Sequence, residues 1–276
     1  MRLKFTKMHG LGNDFMMIDG INQSVTLDSA QISRLSNRHF GIGFDQLLLV
    51  EPPSTFEALF KYRIFNADGG EVEQCGNGAR CFAQFVRHQK LTEEVLIPVE
   101  TSAGLLRLRV IDDVRVEVNM GIPNFDPKHI PLDLPQRKAN YTVRMGDTDV
   151  DFMALSIGNP HAVMLVDDVD NANIEQIGPI MESHPVFPQR VNVGFMQIVN
   201  RQEFKLRVYE RGVGETLACG SGACAAMAAA CEAGLLDDQV RAHLRGGDLE
   251  LCWRGEGMPV MMTGATAFVY DGEIEL

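Results

Sequence analysis

Nowhere in this 276-residue chain does an apolar run approach membrane-spanning length, and nowhere do basic residues cluster. With 25 Lys and Arg against 37 Asp and Glu, the net charge is -12. Such a chain has little with which to displace counterions from a nucleic acid, so neither nucleic acid nor membrane is expected as a partner. The opening residues reach Lys7 and His9 before any signal-like apolar region forms, which fits a cytoplasmic protein. None of the six cysteines lies in a C-x-x-C pair. Disulfide framework and zinc site are both disfavoured, and a reducing compartment is favoured. No Lys-Ser or Lys-Thr follows a glycine loop, which weighs against a phosphate-binding module, and no metal or cofactor motif is evident.

What is present is a repeated cysteine setting. Residues 65–86, FNADGGEVEQCGNGARCFAQFV, place Cys75 before a glycine-spaced loop. From Ala79 the apolar residues follow the spacing of an amphipathic helix, with Arg87, His88 and Lys90 near its end. Cys75 is therefore expected just outside a helix N-terminus. There the backbone N–H groups of Gly76, Asn77 and Gly78 can bind an anion, and the helix dipole favours thiolate over a thiol whose free pKa is roughly 8.5. Residues 209–234, YERGVGETLACGSGACAAMAAACEAG, repeat the setting around Cys219. Superposing the cysteines lays Asn66 on Glu210, Gly76 on Gly220, Asn77 on Ser221 and Gly78 on Gly222. Gly12-Asn13-Asp14-Phe15 is answered by Gly158-Asn159-Pro160-His161, and residues 43–46 more loosely by residues 194–197. This is an internal duplication.

Along the chain, short strand-like runs outnumber helices. Strands are expected at 3–8 and 15–19 around a turn, then at 44–50, 59–65, 95–100, 105–110 and 114–119. Asp28, with Gln31 at the capping-box position, opens a helix carrying Ile32 and Leu35. Its second-half counterpart begins near Asp170 and carries Ile174, Ile177 and Met181. Prolines at 123, 127, 131 and 135 mark the crossover between halves. Strands follow at 141–145, 152–156, 162–166, 193–199 and 205–210. The helix 222–233 is small and apolar on every face, so it must be buried, and a curved sheet around it is the simplest container. Strands at 249–253, 260–263 and 267–270 finish the chain, the last returning to the first half. The expected fold is α+β, with two pseudo-symmetric domains, each a mixed sheet or barrel wrapped around a central helix. The boundaries are 1–118 plus 265–276 for the half with Cys75, and 119–264 for the half with Cys219.

Cys81, Cys224, Cys231 and Cys252 read as small core hydrophobes. Cys75 and Cys219 lie instead in glycine-flanked loops where burial is incomplete and thiolate is favoured. If the halves face each other, the two sulfurs approach one carbon from opposite sides. One removes a proton while the other delivers one to the far face, and the helix N-termini stabilise the carboxylate on which charge develops.

These segments resemble the diaminopimelate epimerase family over essentially the whole chain. MHGLGNDF from Met8, GIGFDQLL from Gly41, FNADGGEVEQCGNGARC from Phe65, GNPHAV from Gly158 and YERGVGETLACGSGACA from Tyr209 carry the resemblance. It implies cofactor-independent conversion of LL- to meso-2,6-diaminopimelate in bacterial lysine and peptidoglycan precursor synthesis, by a homodimer. Cys75 is then proton donor and Cys219 proton acceptor. Residue by residue, it implies substrate contacts from Asn13, Gln46, Asn66, Asn159, Asn192, Glu210 and Arg211. Gly76, Asn77, Gly220 and Ser221 become carboxylate-cradling loops, and His161 and Glu210 tune the catalytic pair. Ala162 departs from the family, where cysteine is frequent after G-N-P-H. The other readings are a proline or hydroxyproline racemase of the same fold, which should lack the distal-end residues, and a thiol-redox protein exchanging Cys75 with Cys219. On residues alone, Glu210 and Arg211 also read as a surface ion pair.

Overall fold

The structure is a computed structural model that describes residues 2–72 and 75–276. Two compact units emerge: Met1–Asn119 with Thr263–Leu276, and Met120–Met262. The first carries β1 (Arg2–Gly10), β2 (Asn13–Asp19), α1 (Ser29–Ser36), β3 (Gln46–Glu51), β4 (Phe60–Asn66), β5 (Glu71–Val72), α2 (Gly76–His88), β6 (Leu96–Thr101), β7 (Gly104–Val110) and β8 (Arg115–Asn119). The second carries β9 (Tyr141–Met145), β10 (Thr148–Ser156), β11 (Pro160–Leu165), α3 (Ile174–Glu182), β12 (Asn192–Asn200), β13 (Glu203–Glu210), β14 (Gly214–Thr216), α4 (Gly220–Glu232), β15 (Gln239–Leu244) and β16 (Gly247–Cys252). β17 (Met261–Ala265) leads back to β18 (Ala267–Glu275), which pairs antiparallel with β1 from Arg2 opposite Glu275 to His9 opposite Ala267. Among the described residues no helix is long and apolar enough to cross a membrane.

The duplication is written in the strand pairings. In unit 1, β1–β2 is antiparallel, β2–β3 parallel, β3–β4 antiparallel, β4–β6 parallel and β6–β7 antiparallel. In unit 2 the same alternation runs β10–β11, β11–β12, β12–β13, β13–β15 and β15–β16. Each parallel crossover holds a helix, as parallel pairing demands. The α+β architecture with two pseudo-symmetric halves therefore holds. α2 packs against β1, β2, β3, β7 and β8, and α4 against β10, β11, β12, β13 and β16. A helix that touches strands from both ends of the sheet order is enclosed by a curved sheet.

Both faces of the unit 1 sheet are covered. Phe15 and Leu48 abut Gly78 of α2, while Met16, Ile18, Leu47 and Leu49 join Ile32 and Leu35 of α1 in a second apolar layer. Strands buried on two faces read as continuous apolar runs, which is what MMI and LLLV are. The expected capping box is present at α1, where Gln31 N donates to Asp28 Oδ1 at 2.8 Å and Asp28 N to Gln31 Oε1 at 2.9 Å.

Four local expectations change. α2 has the expected amphipathic spacing but buries both faces: every residue from Asn77 to Val86 is buried, including Arg80 and Gln84, whose Nε2 donates to Asp112 O at 2.7 Å. α3 begins at Ile174 after Asn173 rather than near Asp170, whose carboxylate pairs with Lys205 instead. β15 was hidden, because QVRAHL alternates but carries only three apolar residues. Finally, the loose match of residues 43–46 with 194–197 gives way to register. Gln46 pairs with Phe15 and Asn66, and Asn192 pairs with His161 on β11 and directly precedes Val193, which pairs with Tyr209. Asn192 therefore occupies the place of Gln46, Val191 that of Asp45 and His161 that of Phe15.

Candidate active site

Cys75 is the N-cap of α2, in extended backbone conformation, and Cys219 is the N-cap of α4. Each thus adjoins a helix start whose first N–H groups have no partner one turn back. In unit 1 the register gathers Asn13, Gln46 and Asn66 at one end of three neighbouring strands. The Cys75 thiol lies 3.6 Å from Asn13 Oδ1, which also accepts from Asn77 Nδ2 at 3.3 Å. Asn13 Nδ2 donates in turn to Asp45 Oδ2 at 3.0 Å. Gln46 Nε2 donates to Asn66 Oδ1 at 2.9 Å, and Gln46 Oε1 is buried with no donor among the described residues. Behind the loop, the buried Tyr62 hydroxyl donates to Cys75 O at 3.4 Å. Burial, then the neighbouring Cys75, pushes that phenol well above its usual range.

Unit 2 is more enclosed. Cys219 is 4% exposed; its sulfur accepts from Gly222 N at 3.4 Å and lies 3.6 Å from Ser221 Oγ. Burial and then the Glu210 carboxylate push the thiol well above its usual range. This corrects the expectation of incomplete burial and a favoured thiolate at Cys219, because desolvation and a like charge outweigh the helix start. Glu210 itself is raised by burial, against hydrogen bonds to Thr216 and Cys219. His161 Nε2 is 2.9 Å from Asn159 Oδ1, and Asn159 Nδ2 donates to Ser221 Oγ at 3.4 Å. Burial, then the positive charge of Arg211, lowers the imidazole to about 3, so His161 is neutral at physiological pH.

The distal-end candidates divide. Asn192 spends both ends on backbone: Nδ2 donates to Pro160 O at 2.9 Å and Oδ1 accepts from Arg211 N at 3.0 Å. Arg211 is exposed and its Nη1 donates to Gln189 O at 3.2 Å, so it does not form the surface ion pair with Glu210 that the bare residues allowed. Three supporting residues escaped the sequence reading. Thr216 donates to Glu210, Glu182 accepts from Gly212 N at 2.9 Å, and Asp45 holds Asn13. Asp45 and Thr216 lie inside the quoted segments without standing out there, and Glu182 lies outside all of them.

The diaminopimelate epimerase family model matches residues 5–125 and 153–269. The chain belongs to the diaminopimelate epimerase family. A diaminopimelate epimerase of Nitrosomonas europaea is 56% identical over 276 residues, covering 100% of both chains. One from Chromobacterium violaceum is 57% identical with the same coverage. Among solved structures, a hydroxyproline epimerase from Agrobacterium vitis with bound trans-4-hydroxy-L-proline superposes with a TM-score of 0.72. That match covers 99% of this chain and 92% of the other at 14% identity, a likeness of fold alone.

Proposed function

We propose that this family member interconverts LL- and meso-2,6-diaminopimelate by two proton transfers, with Cys219 as acceptor and Cys75 as donor in the LL-to-meso direction. The relatives' name gives the reaction, and with it a place in the synthesis of lysine and the peptidoglycan precursor. The observation that carries the mechanism is that the two thiols are N-caps of topologically equivalent buried helices yet differ in setting. Cys219 adjoins a carboxylate, and Cys75 adjoins the carbonyl oxygen of an amide.

Held as a thiol beside Glu210, Cys219 becomes a base when the substrate's α-ammonium brings positive charge. Glu210, whose proton affinity burial has raised, is the hydrogen-bonded group that takes the thiol proton. The thiolate then removes the α-proton: the C–H bond breaks, its electron pair spreads into the carboxylate, and an S–H bond forms. The Cys75 S–H bond breaks as its proton reaches the other face of the carbon, leaving that sulfur anionic. Backbone N–H groups at the starts of α2 and α4 support the negative carboxylate. No cofactor is called for. At the substrate's other end, Arg211 suits the carboxylate and the buried Gln46 Oε1 suits an ammonium, which would give it a donor that it does not find among the described residues. Asn192 serves by holding the Arg211 backbone. The protein is proposed to act as a cytoplasmic homodimer.

Incubation with LL-diaminopimelate in deuterated water tests the reading directly. Incorporation of solvent deuterium at one α-carbon with formation of the meso isomer is the expected result; absence of exchange overturns it.

A further inference from the structure

The two asparagines that adjoin the catalytic loops are oriented by unrelated groups. Asn159 meets His161, whereas Asn13 meets Asp45, and each orienter is replaced by an apolar residue in the other unit. Val191 stands in Asp45's place and Phe15 in His161's. A carboxylate can only accept, so Asp45 Oδ2 obliges Asn13 to present Nδ2 to it. Asn13 Oδ1 must then face Cys75, at 3.6 Å, and Asn77 Nδ2, at 3.3 Å. An acceptor beside a sulfur favours the thiol, which can donate to it, over the thiolate, which cannot.

We propose that Asp45 is a positioning residue which, by fixing the Asn13 amide, keeps Cys75 protonated and aimed as the acid of the pair. The proposal rests on the reading of Cys75 as a proton donor.

Asp45 is itself held firmly. Its Oδ1 accepts from Arg38 Nη2 at 2.8 Å, and its Oδ2 accepts from Asp14 N at 3.1 Å. Arg38 also binds Asp14, which pairs with the buried Lys7 at 2.6 Å. Burial alone would raise Asp14, but hydrogen bonds from Arg38 and Lys7 overcome it and hold the carboxyl far below its usual range. Asp14, held low, and Arg38, held high, thus stay charged, and Asp45 is anchored between them. In the Asp45→Asn protein the amide has one oxygen for two sets of donors. Arg38, being charged, takes it. The new NH2 then faces Asn13, whose own amide turns over and offers N–H to Cys75, favouring thiolate.

The test is alkylation of Cys75 by iodoacetamide in the full-length enzyme, followed against pH by peptide mass spectrometry, with Cys219 in the same digest as a reporter of the fold. Asp45→Asn should lower the Cys75 pH midpoint by about one unit and leave that of Cys219 unchanged. Epimerisation kcat should fall about tenfold while KM changes less than threefold. Asn13→Ala alone should also lower the midpoint, and adding Asp45→Asn to it should produce no further shift. An unchanged midpoint in Asn13→Ala overturns the proposal even if Asp45→Asn does not fold. So does an equal shift from Asp45→Asn in both backgrounds, which would mean its charge acts on the sulfur without the amide. The mechanism of the preceding section fails separately, if Cys75→Ala still epimerises.

Discussion

Burial and the Glu210 carboxylate hold Cys219 as a thiol, while burial raises Glu210 against its hydrogen bonds to Thr216 and Cys219, so exchange of the proton between the two is the least costly event in the site. Glu210→Gln should therefore have opposite effects on two readouts. Loss of the negative charge lets Cys219 ionise at lower pH and alkylate faster, while epimerisation falls about a hundredfold because the proton acceptor is gone. Parallel loss of both would show that Glu210 only shapes the fold. Replacement of either Cys75 or Cys219 by Ala should abolish turnover with the melting transition retained, as measured by deuterium exchange and calorimetry. His161 makes a pH prediction with a definite sign. Its folded value of about 3 lies below the unfolded 6.5, so between them the unfolded chain binds more protons. Its contribution is complete above pH 6.5 and is lost as pH falls toward 3, with a slope of up to about 1.4 kcal/mol per unit. Urea titrations of wild type and His161→Gln at pH 7 and pH 5 should differ in that slope. The cysteines were legible because the sequence states their setting twice. Asp45 and Glu182 were not, because a carboxylate that orients a neighbour is spelled the same way as one that faces water. Only register told Asn192 from Gln197 as the partner of Gln46.

Helices α2 and α4 were legible as the enclosed helices of the two halves; what was not legible is that α2 buries its polar residues too. ARCFAQFV has a polar stripe by its spacing, yet the enclosing sheet buries Arg80 and Gln84 with the rest, and their polar atoms turn to the helix start and to Asp112. Periodicity reports what a helix offers, and enclosure decides what it exposes. At the start of α4 a Cβ on Gly222 would lie 3.0 Å from Val208 Cγ2 and 3.2 Å from the Cys219 sulfur. Gly222→Ala should displace the sulfur by a few tenths of an ångström and cost about tenfold in kcat. Overpacking of about 1–3 kcal/mol is offset in part by the helix propensity of Ala, so stability should change little. Gly178 of α3 is the contrasting case, since its Cβ would come within 2.7 Å of the Tyr209 ring. Gly178→Ala should lower the melting temperature more than Gly222→Ala does, and kcat at saturating substrate less.

On the scale of the whole molecule, unit 1 is assembled from two separated stretches of chain, and unit 2 is the uninterrupted segment between them. The strand pairings repeat so closely that the duplication is plain: β9 borders β10 as β18 borders β1, but β9 arrives through a short hairpin whereas β18 comes from the far end of the chain. It covers β1 along nearly its full length, and no periodicity in AFVYDGEIE announces that partner. Deletion of residues 267–276 should destabilise unit 1 selectively, so that hydrogen exchange quickens in β1 and β2 before it quickens in β12 and β13. Equal acceleration in both units would show that they unfold as one. During synthesis the same feature becomes a matter of timing. A ribosome needs on the order of ten seconds to make the stretch between β8 and β18. Throughout that interval β1 waits with an open edge while the whole of unit 2 passes through the exit tunnel behind it. Unit 2 is thus free to fold first although it is made second, and the nascent half with Cys75 is the one exposed to chaperones and to mispairing with its neighbours on a polysome.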